Sequence, residues 1–263
     1  MWLEMTGVGV RYVAFRPETQ GLPDLGEIRD AISPRTRALV LISPNNPTGA
    51  VYPSDYLSAA FELCRDAGIA LMLDETYRDF LAHDGAPHAL FRRADWSSTL
   101  IHLYSFSKVF CLTGYRTGAI VADAKFLAEI GKEMDCVAIC PPHIGQLAAA
   151  YGLEALGAWR RANTGLMRAR LAAVRTAFAR GDLGYDIVSA GAYFAYLKNP
   201  HAGCTSHAVA RRLAERQNLL ALPGSIFGPG QVDYVRLAFA NVDASLMDDI
   251  AARLAADAAD QAW

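Results

Sequence analysis

This sequence of 263 residues has few cysteines and no long apolar run, and both shortages narrow what it can be. The cysteines number five and form no CxxC pair, which favours reduced thiols over a disulfide framework. No apolar run approaches the roughly 18 residues that a membrane span needs. Residues 1–15 also lack the basic and apolar regions of a signal peptide. We therefore expect a cytoplasmic protein that does not bind a membrane.

An excess of charge of one sign is also missing. The chain has 25 Lys and Arg against 27 Asp and Glu, a formal net charge of −2, and the two signs are interspersed. A nucleic-acid surface needs a local excess of basic residues, so we expect small-molecule partners and no nucleic acid. The six histidines form no HExxH pattern and no metal-ligand spacing is present, so we also expect no metal.

Short apolar segments bounded by breakers predict a mostly parallel sheet. They are residues 37–43 (RALVLIS), 69–74 (IALMLD) and 99–105 (TLIHLYS), as expected of strands covered on both faces. Between the first two, residues 53–68 place apolar side chains on one helical face and end at a glycine, which predicts a βαβ unit. Residues 117–123 (TGAIVAD) predict a fourth strand of the same sheet.

The second half predicts a bridging helical region and a smaller domain. Helical sequence begins at about Pro141, with Gly157 and Gly165 as candidate interruptions. Beyond it, we predict strands at 192–198 and 234–240, a helix at 205–217 and a final alanine-rich helix. The fold class is therefore α/β. We expect a large domain in residues 1–160 and a small α/β domain in 161–263, joined by a long helix.

Polar groups follow three of the predicted strands. SPNNPTG (43–49), DETY (74–77) and SFSK (105–108) each stand where a strand ends, and ligands of open α/β sheets bind outside the carboxyl ends of the strands. Each group alone has an ordinary explanation: an Asn-Pro turn, a helix cap and a surface lysine. Three such groups with Arg116 soon after indicate one shared site. A lysine nucleophile beside a carboxylate and an anion site is typical of pyridoxal phosphate chemistry.

The ordered motif series resembles that of the class I/II aminotransferases of fold type I. It comprises SPNNPTG, DETY, SFSK with LTGYR.G, and late in the chain PG..FG with YVRLAFA. The resemblance extends from about Arg11 to the C-terminus. It implies the PLP-transferase type I fold, pyridoxal 5'-phosphate as cofactor, a homodimer in the complete protein, and transfer of an amino group from an L-amino acid to a 2-oxo acid.

The resemblance implies a catalytic role for three matching residues. Lys108 would form an internal aldimine with the cofactor aldehyde and carry protons during the reaction. Asp74 would pair with the ring nitrogen and keep it protonated. Tyr77 would hydrogen-bond the ring's phenolic oxygen. We expect Glu75, and not Asp74, to cap the turn that follows the strand.

The remaining roles implied by the resemblance concern the phosphate and the substrate. The phosphate would be bound by two hydroxyls and a guanidinium fork, namely Ser105, Ser107 and Arg116. Asn46 would serve both the phenolic oxygen and the substrate, with a cis peptide bond before Pro47. The substrate carboxylate would be received by Arg236, and the substrate pocket would be lined by Tyr193 and Phe194.

The motif NNPTG begins at Asn45, much earlier than in the resembled family. The resemblance therefore implies that the front of the large domain is absent, with its glycine-containing phosphate turn and its ring-stacking aromatic residue. We expect exposed apolar surface at the sheet edges and weaker cofactor binding than in a complete homologue. Three alternatives stay open: a PLP-dependent C–S or β-lyase on the same fold, the PLP-sensing domain of a transcription regulator, and an inactive truncated aminotransferase.

Overall fold

The carboxyl ends of three successive strands lie side by side in one sheet. The computed structural model describes residues 2–260, which form two four-stranded sheets. The first sheet has the order β1-β2-β3-β4; its first three strands are parallel and β4 runs antiparallel to β3. Its strands are β1 Ala38–Ile42, β2 Ala70–Asp74, β3 Leu100–Ser105 and β4 Gly118–Val121. The four predicted strands and their shared sheet are confirmed.

Eight α-helices connect and cover the sheets in the described residues. They are α1 Trp2–Met5, α2 Leu25–Ala31, α3 Ser54–Asp66, α4 Ala124–Val137, α5 His143–Ala155, α6 Gly157–Phe178, α7 Ser206–Gln217 and α8 Met247–Ala259. Short 3-10 turns occur at Pro17–Thr19, Arg78–Phe80, Leu90–Arg92, Trp96–Ser98, Thr113–Tyr115, Gly224–Ile226 and Ala244–Leu246.

Helix α3 completes the predicted βαβ unit. Pro53 is its N-cap residue, and the backbone nitrogen of a proline carries no N–H that would be left unpaired at the start of the helix. The apolar face predicted from the sequence is fully buried and packs against Leu71 and Leu73 of β2. This face consists of Leu57, Ala60, Phe61 and Cys64. Because β2 is held from this side, its end is fixed relative to the neighbouring strands.

The second sheet is antiparallel throughout, in the order β5-β6-β8-β7. Its strands are β5 Asp186–Gly191, β6 Phe194–Lys198, β7 Ala221–Pro223 and β8 Tyr234–Ala238. Apolar side chains of α6, α7 and α8 form one core with β6 and β8. The expected division after residue 160 falls inside α6 and stays a prediction.

One expectation for the second half needs correction, and two elements were not expected. Gly157 marks the break between α5 and α6, as predicted, but Gly165 lies inside the uninterrupted α6. A side chain at Gly165 would meet open space, so the helix continues past it at only a small cost in propensity. Helix α4 and strand β5 were not predicted from the sequence.

Exposed apolar side chains lie at both edges of the first sheet, as the sequence predicted. Val40 of β1 is 48% exposed, and Ile120 and Val121 of β4 are 41% and 39% exposed. Both edge strands also present unpaired backbone groups to solvent, which is a common cause of association. Within residues 2–260, no helix combines the length and the apolar character needed to cross a membrane.

Candidate active site

The turn after β2 presents Asp74 and Tyr77. Asp74 ends β2, and its Oδ1 accepts a hydrogen bond of 2.9 Å from the backbone N–H of Thr76. The expectation that Glu75 caps this turn is therefore wrong. Glu75 points the other way and is completely buried, with its side chain 0% exposed. Asp74 is half-buried, so its second oxygen is free to face a ligand.

Ser105, Ser107 and Lys108 follow β3. The Oγ of Ser105 accepts a hydrogen bond of 3.2 Å from the backbone N–H of Ser107. Ser107 is buried and Lys108 is half-buried. Gly118 pairs with Ser105 from β4, and a Cβ at Gly118 would approach the carbonyl oxygen of Tyr104 to 2.8 Å. A glycine there lets the two backbones meet directly beside the lysine segment.

Arg116 lies in the loop that leads into β4. The Thr113 hydroxyl of that loop donates a hydrogen bond of 3.0 Å to the carbonyl oxygen of Ser107. Arg116 has a φ of 54°, is exposed, and donates from Nη1 to the carbonyl oxygen of Thr113 at 2.8 Å. The loop therefore lies against the serine segment. In the part of the chain that the structure describes, however, the guanidinium bonds to its own loop and to neither Ser105 nor Ser107.

Residues 43–49 follow β1 and form a loop that packs against the second sheet. The predicted cis peptide bond before Pro47 is confirmed, and a second cis bond precedes Pro44. The Ser189 hydroxyl of β5 donates a hydrogen bond to the carbonyl oxygen of Thr48. Gly49 has a φ of 73°, and a Cβ on it would lie 2.5 Å from the backbone nitrogen of Gly191. Only a glycine allows this approach of the loop to the second sheet.

Arg236 of β8 reaches the loop from the second sheet. Its Nη1 donates a hydrogen bond of 2.7 Å to Asn46 Oδ1. The guanidinium carbon lies 4.7 Å from the Phe194 ring centroid and 5.1 Å from that of Phe227. Burial lowers the pKa of Arg236, although the neighbouring Tyr77 and Tyr193 act in the opposite direction. Its buried Nε has no hydrogen-bond partner among the described residues.

Tyr77 connects the lysine to the arginine side of the site. Lys108 Nζ lies 5.7 Å from the centroid of the Tyr77 ring. The same ring packs edge-on against Tyr193 at 5.5 Å and Phe194 at 5.2 Å. Burial raises the pKa of the Tyr77 hydroxyl, and the nearby charge of Arg236 opposes that shift. The phenol therefore stays protonated and can donate a hydrogen bond.

The structure thus brings together five of the eight predicted site residues around Tyr77. They come from the ends of β2 and β3, from the loop after β1 and from β8: Asn46, Asp74, Tyr77, Lys108 and Arg236. Ser105 and Ser107 belong to the same segment as the lysine. Arg116 is in the adjoining loop, with its guanidinium turned away. The expected substrate-pocket residues Tyr193 and Phe194 lie against Tyr77.

Sequence reasoning missed the side chains that support this site from behind. Asp79 accepts a hydrogen bond of 2.6 Å from Tyr104 of β3, and its carbonyl oxygen accepts one of 2.8 Å from Thr164 of α6. Asn163 of α6 donates to the carbonyl oxygen of Val109 at 3.4 Å. Helix α6 therefore holds both the Tyr77 segment and the lysine segment. Local sequence patterns do not predict these contacts, because the two bonds from α6 join residues 54 and 85 positions apart.

The arrangement of the strand ends and the lysine segment defines an α/β protein of the pyridoxal phosphate-dependent transferase type. A family model for aminotransferase class I and II matches residues 2–254. This chain belongs to the class I and II aminotransferase family.

Relatives with known names support the same assignment. The chain is 29% identical to the aromatic aminotransferase ISS1 of Arabidopsis thaliana, covering 97% of this chain and 64% of that protein. It is 32% identical to the arginine–pyruvate transaminase AruH of Pseudomonas aeruginosa, covering 88% of this chain and 58% of that protein. The chain therefore spans less than two thirds of the length of these curated relatives.

A solved structure shows the same fold. A double mutant of Thermus thermophilus aspartate aminotransferase superposes with a TM-score of 0.87 at 27% sequence identity. The superposition covers 97% of this chain and 65% of that chain. The α/β architecture expected from the sequence is confirmed, and the chain spans less than two thirds of the length of this neighbour.

Members of this family use pyridoxal 5'-phosphate, and the donor set of the site fits that cofactor. An aldehyde needs an amine, which Lys108 supplies from a half-buried position. A protonated pyridine nitrogen needs a carboxylate, and a phenolate oxygen needs hydrogen-bond donors. Asp74, Tyr77 and Asn46 provide these groups on the same side of the sheet. The serine hydroxyls add donors of the kind that a phosphate requires.

Proposed function

We propose that this chain carries the cofactor and substrate site of a PLP-dependent aminotransferase that moves an amino group from an L-amino acid to a 2-oxo acid. One observation carries the proposal: Arg236 bonds to Asn46 at 2.7 Å while both lie beside Tyr77. A carboxylate-binding guanidinium from the second sheet is therefore adjacent to the cofactor-binding residues of the first. Binding of an amino acid and of the cofactor in one place follows from this adjacency.

The residues that would hold pyridoxal 5'-phosphate are Asn46, Asp74, Tyr77, Ser105, Ser107, Lys108 and Arg116. When bound, the cofactor supplies an aldehyde that accepts the amino group and a ring that withdraws electrons from the substrate Cα. Asp74 would keep a proton at the ring nitrogen. Tyr77 and Asn46 would donate to the phenolic oxygen. The serines would bind the phosphate, and Arg116 would join them once its guanidinium turns away from the carbonyl oxygen of Thr113.

The substrate is bound and deprotonated by this chain's own side chains. Arg236 binds the α-carboxylate through its planar fork, which orients the Cα–H bond towards Lys108. Lys108 Nζ would hold the cofactor through its aldehyde, and as a free amine it would accept the proton of the substrate Cα. The aromatic rings of Tyr77, Tyr193 and Phe194 exclude water from one side of the site.

The amino donor is the finer part of the proposal. We propose aspartate or an aromatic or aliphatic amino acid as donor and 2-oxoglutarate as acceptor. Relatives named aromatic aminotransferase and aspartate aminotransferase support the first two classes of donor. A cytoplasmic location and a homodimer in the complete protein belong to the same proposal. Because the chain spans less than two thirds of its relatives, its activity in isolation is part of what must be measured.

The test mixes the purified chain and pyridoxal 5'-phosphate with aspartate, phenylalanine or leucine and no acceptor. We expect one 2-oxo acid per bound cofactor, and continued turnover once 2-oxoglutarate is added. Lys108→Ala should abolish product, and Lys125→Ala, which removes an exposed lysine of α4, should not. Release of ammonia and pyruvate without an acceptor would assign a lyase. Cofactor binding with no chemistry would favour a sensing domain or an inactive truncated form.

A further inference from the structure

Glu75 is a completely buried carboxylate between two residues of the site. Its side chain is 0% exposed, and its Oε2 lies 3.1 Å from Arg78 Nη1, 3.2 Å from His88 Nε2 and 2.8 Å from His102 Nε2. A buried carboxylate is costly unless charged or polar groups surround it. Three side chains, from the turn after β2, the loop that follows it and β3, therefore surround one oxygen of Glu75.

Both histidines of this cluster place a ring nitrogen against the Glu75 carboxylate. His88 Nδ1 accepts a hydrogen bond of 3.2 Å from the backbone N–H of Leu90, so its proton is on Nε2, which faces Glu75. The buried His102 Nδ1 has no hydrogen-bond partner among the described residues, and His102 Nε2 also lies 3.4 Å from Arg78 Nη1. Arg78 donates a hydrogen bond to Glu75 Oε2 and supplies a positive charge that balances the carboxylate. The cluster is therefore an ion pair with two imidazole rings against it, and among the described residues Glu75 Oε1 and His88 Nε2 have no hydrogen-bond partner.

A metal does not explain this arrangement. The ring nitrogens lie within 2.8 and 3.2 Å of the carboxylate oxygen itself, which leaves no room for an ion between them. No group of three or more His, Cys, Asp or Glu side chains in residues 2–260 has the geometry to hold a metal ion. The contacts instead tie the β2 turn to β3.

These contacts lie on the turn that carries the site residues Asp74 and Tyr77. The backbone N–H of Glu75 donates to the carbonyl oxygen of Leu103 at 2.9 Å. The backbone N–H of Arg78 donates to the backbone carbonyl oxygen of Glu75 at 3.0 Å. Asp74 precedes Glu75 directly, and Tyr77 follows two residues later. The side-chain contacts of Glu75 therefore add to the two backbone hydrogen bonds that hold the segment carrying Asp74 and Tyr77.

We propose that Glu75 is a positioning residue that fixes the turn of residues 74–78 and thereby aims Asp74 and Tyr77 at the cofactor. The inference rests on the proposed function for the identity of that ligand. Glu75 itself does not reach the site. It acts through the backbone of the turn and through its contacts with His88, His102 and Arg78.

The chain contains a matched control in the second half. Asp257 of α8 is also 0% exposed, and its carboxylate contacts Tyr185 at 2.6 Å, His201 at 2.8 Å and Arg212 at 2.8 Å. This cluster joins α7 and α8, which lie on the second sheet and away from the lysine segment. Asp257→Asn therefore removes a comparable buried charge without touching the turn at Asp74.

The first measurement is amide hydrogen exchange of Glu75→Gln and Asp257→Asn, without cofactor. Because a hydrogen bond to a charged group stabilises by an amount worth about tenfold or more, we expect exchange in residues 74–80 to quicken about tenfold in Glu75→Gln only. In Asp257→Asn, the change should be confined to α7 and α8. Unchanged exchange at 74–80 in Glu75→Gln would overturn the inference. If that variant does not fold, His102→Phe replaces the imidazole by an aromatic ring without nitrogen, and faster exchange at 74–80 in this variant tests the same inference.

The second measurement is the visible absorbance of added pyridoxal 5'-phosphate as a function of its concentration and of pH. Glu75→Gln should weaken cofactor binding about tenfold and shift the pH midpoint of the visible band, because Asp74 and Tyr77 set the charge of the ring. Asp257→Asn should leave both unchanged. Faster local exchange with an unaltered band would contradict positioning. A wild-type chain that shows no band would instead contradict the proposed function, while the exchange result still decides whether Glu75 holds the turn.

Discussion

Arg236 donates a hydrogen bond of 2.7 Å to Asn46 across 190 positions of sequence. The bond joins the last strand of the second sheet to the loop after the first strand of the first sheet. The family resemblance assigns substrate binding to both partners, and the substrate carboxylate to Arg236. The site therefore depends on how closely the two sheets approach each other.

Replacing Arg236 by lysine should weaken substrate binding but not cofactor binding. Lysine keeps the charge and loses the planar fork that pairs with a carboxylate. Truncating a buried, hydrogen-bonded charge pair costs about 2 kcal/mol or more, so the donor concentration for half-maximal product should rise roughly 30-fold. Arg180→Lys, at an exposed ion pair with Asp248, is the control. Equal donor dependence in both variants would refute a carboxylate role for Arg236.

A methyl group at Gly49 should separate the two sheets. Gly49→Ala combines a positive φ with a Cβ only 2.5 Å from the Gly191 nitrogen, whereas Gly181→Ala has a φ of 74° and open space around it. The control should therefore lose only the left-handed conformational cost of about 1–2 kcal/mol. Gly49→Ala should lose clearly more free energy of unfolding in urea denaturation, together with substrate binding. Similar losses in the two variants would contradict the close approach.

Acid should weaken the fold between pH 4.5 and 2 through Glu75. Burial tends to raise the pKa of Glu75, but the adjacent His102 and His88 side chains and the charge of Arg78 outweigh it and lower the pKa from 4.5 to about 2. The unfolded chain then binds a proton before the folded chain does. Stability is therefore complete above pH 4.5 and declines as the pH falls towards 2.

Urea unfolding at a series of pH values measures this effect. The free energy of unfolding of Glu75→Gln should fall less steeply with acid than that of the wild type in this window. The pKa of Asp257 is also lowered, with burial opposed by hydrogen bonds from Tyr185, His201 and Arg212, so some acid dependence should persist in Glu75→Gln. Parallel curves for the two proteins would contradict the assignment to Glu75.

A charge on the β4 edge should reduce self-association of the chain. Ile120 is 41% exposed on a strand whose outer side is open, and an edge lysine opposes strand pairing. Light scattering of Ile120→Lys should show a smaller mean size than that of the wild type at the same concentration. Leu220→Lys changes a side chain that is 82% exposed outside this sheet and should leave the size unchanged. A reduction of equal size in both variants would indicate general solubility and not edge pairing.

The framework of the site was predictable because it depends on local patterns. Buried parallel strands are continuous apolar runs, and their ends coincide with the polar motifs, so the positions of Asp74 and Lys108 followed from the sequence. The cis bond before Pro47 followed from the family resemblance. By contrast, β5 escaped prediction because residues 186–191 (DIVSAG) mix apolar and polar side chains and end in a glycine. Helix α4 was also missed, and none of its residues is buried in the structure.

The parts that resisted prediction depend on contacts between distant residues. The interpretation of Glu75 as a cap considered only the adjacent turn, whereas its partners His88 and His102 lie 13 and 27 positions away. Arg116 was expected at the phosphate from its motif alone. Its left-handed backbone and its bond to Thr113 turn the guanidinium towards its own loop, and a motif does not encode that choice. The directions of these side chains could be determined only from the folded structure.

The central claim is that Lys108 is the residue that binds the cofactor aldehyde. The most direct test incubates the wild-type chain, Lys108→Ala and Lys125→Ala with pyridoxal 5'-phosphate, reduces each sample with borohydride and maps the modified peptide by mass spectrometry. The account predicts one reduced adduct, located on Lys108, in the wild type and in Lys125→Ala, and no adduct at that peptide in Lys108→Ala. An adduct of equal yield on exposed lysines in all three samples would contradict it.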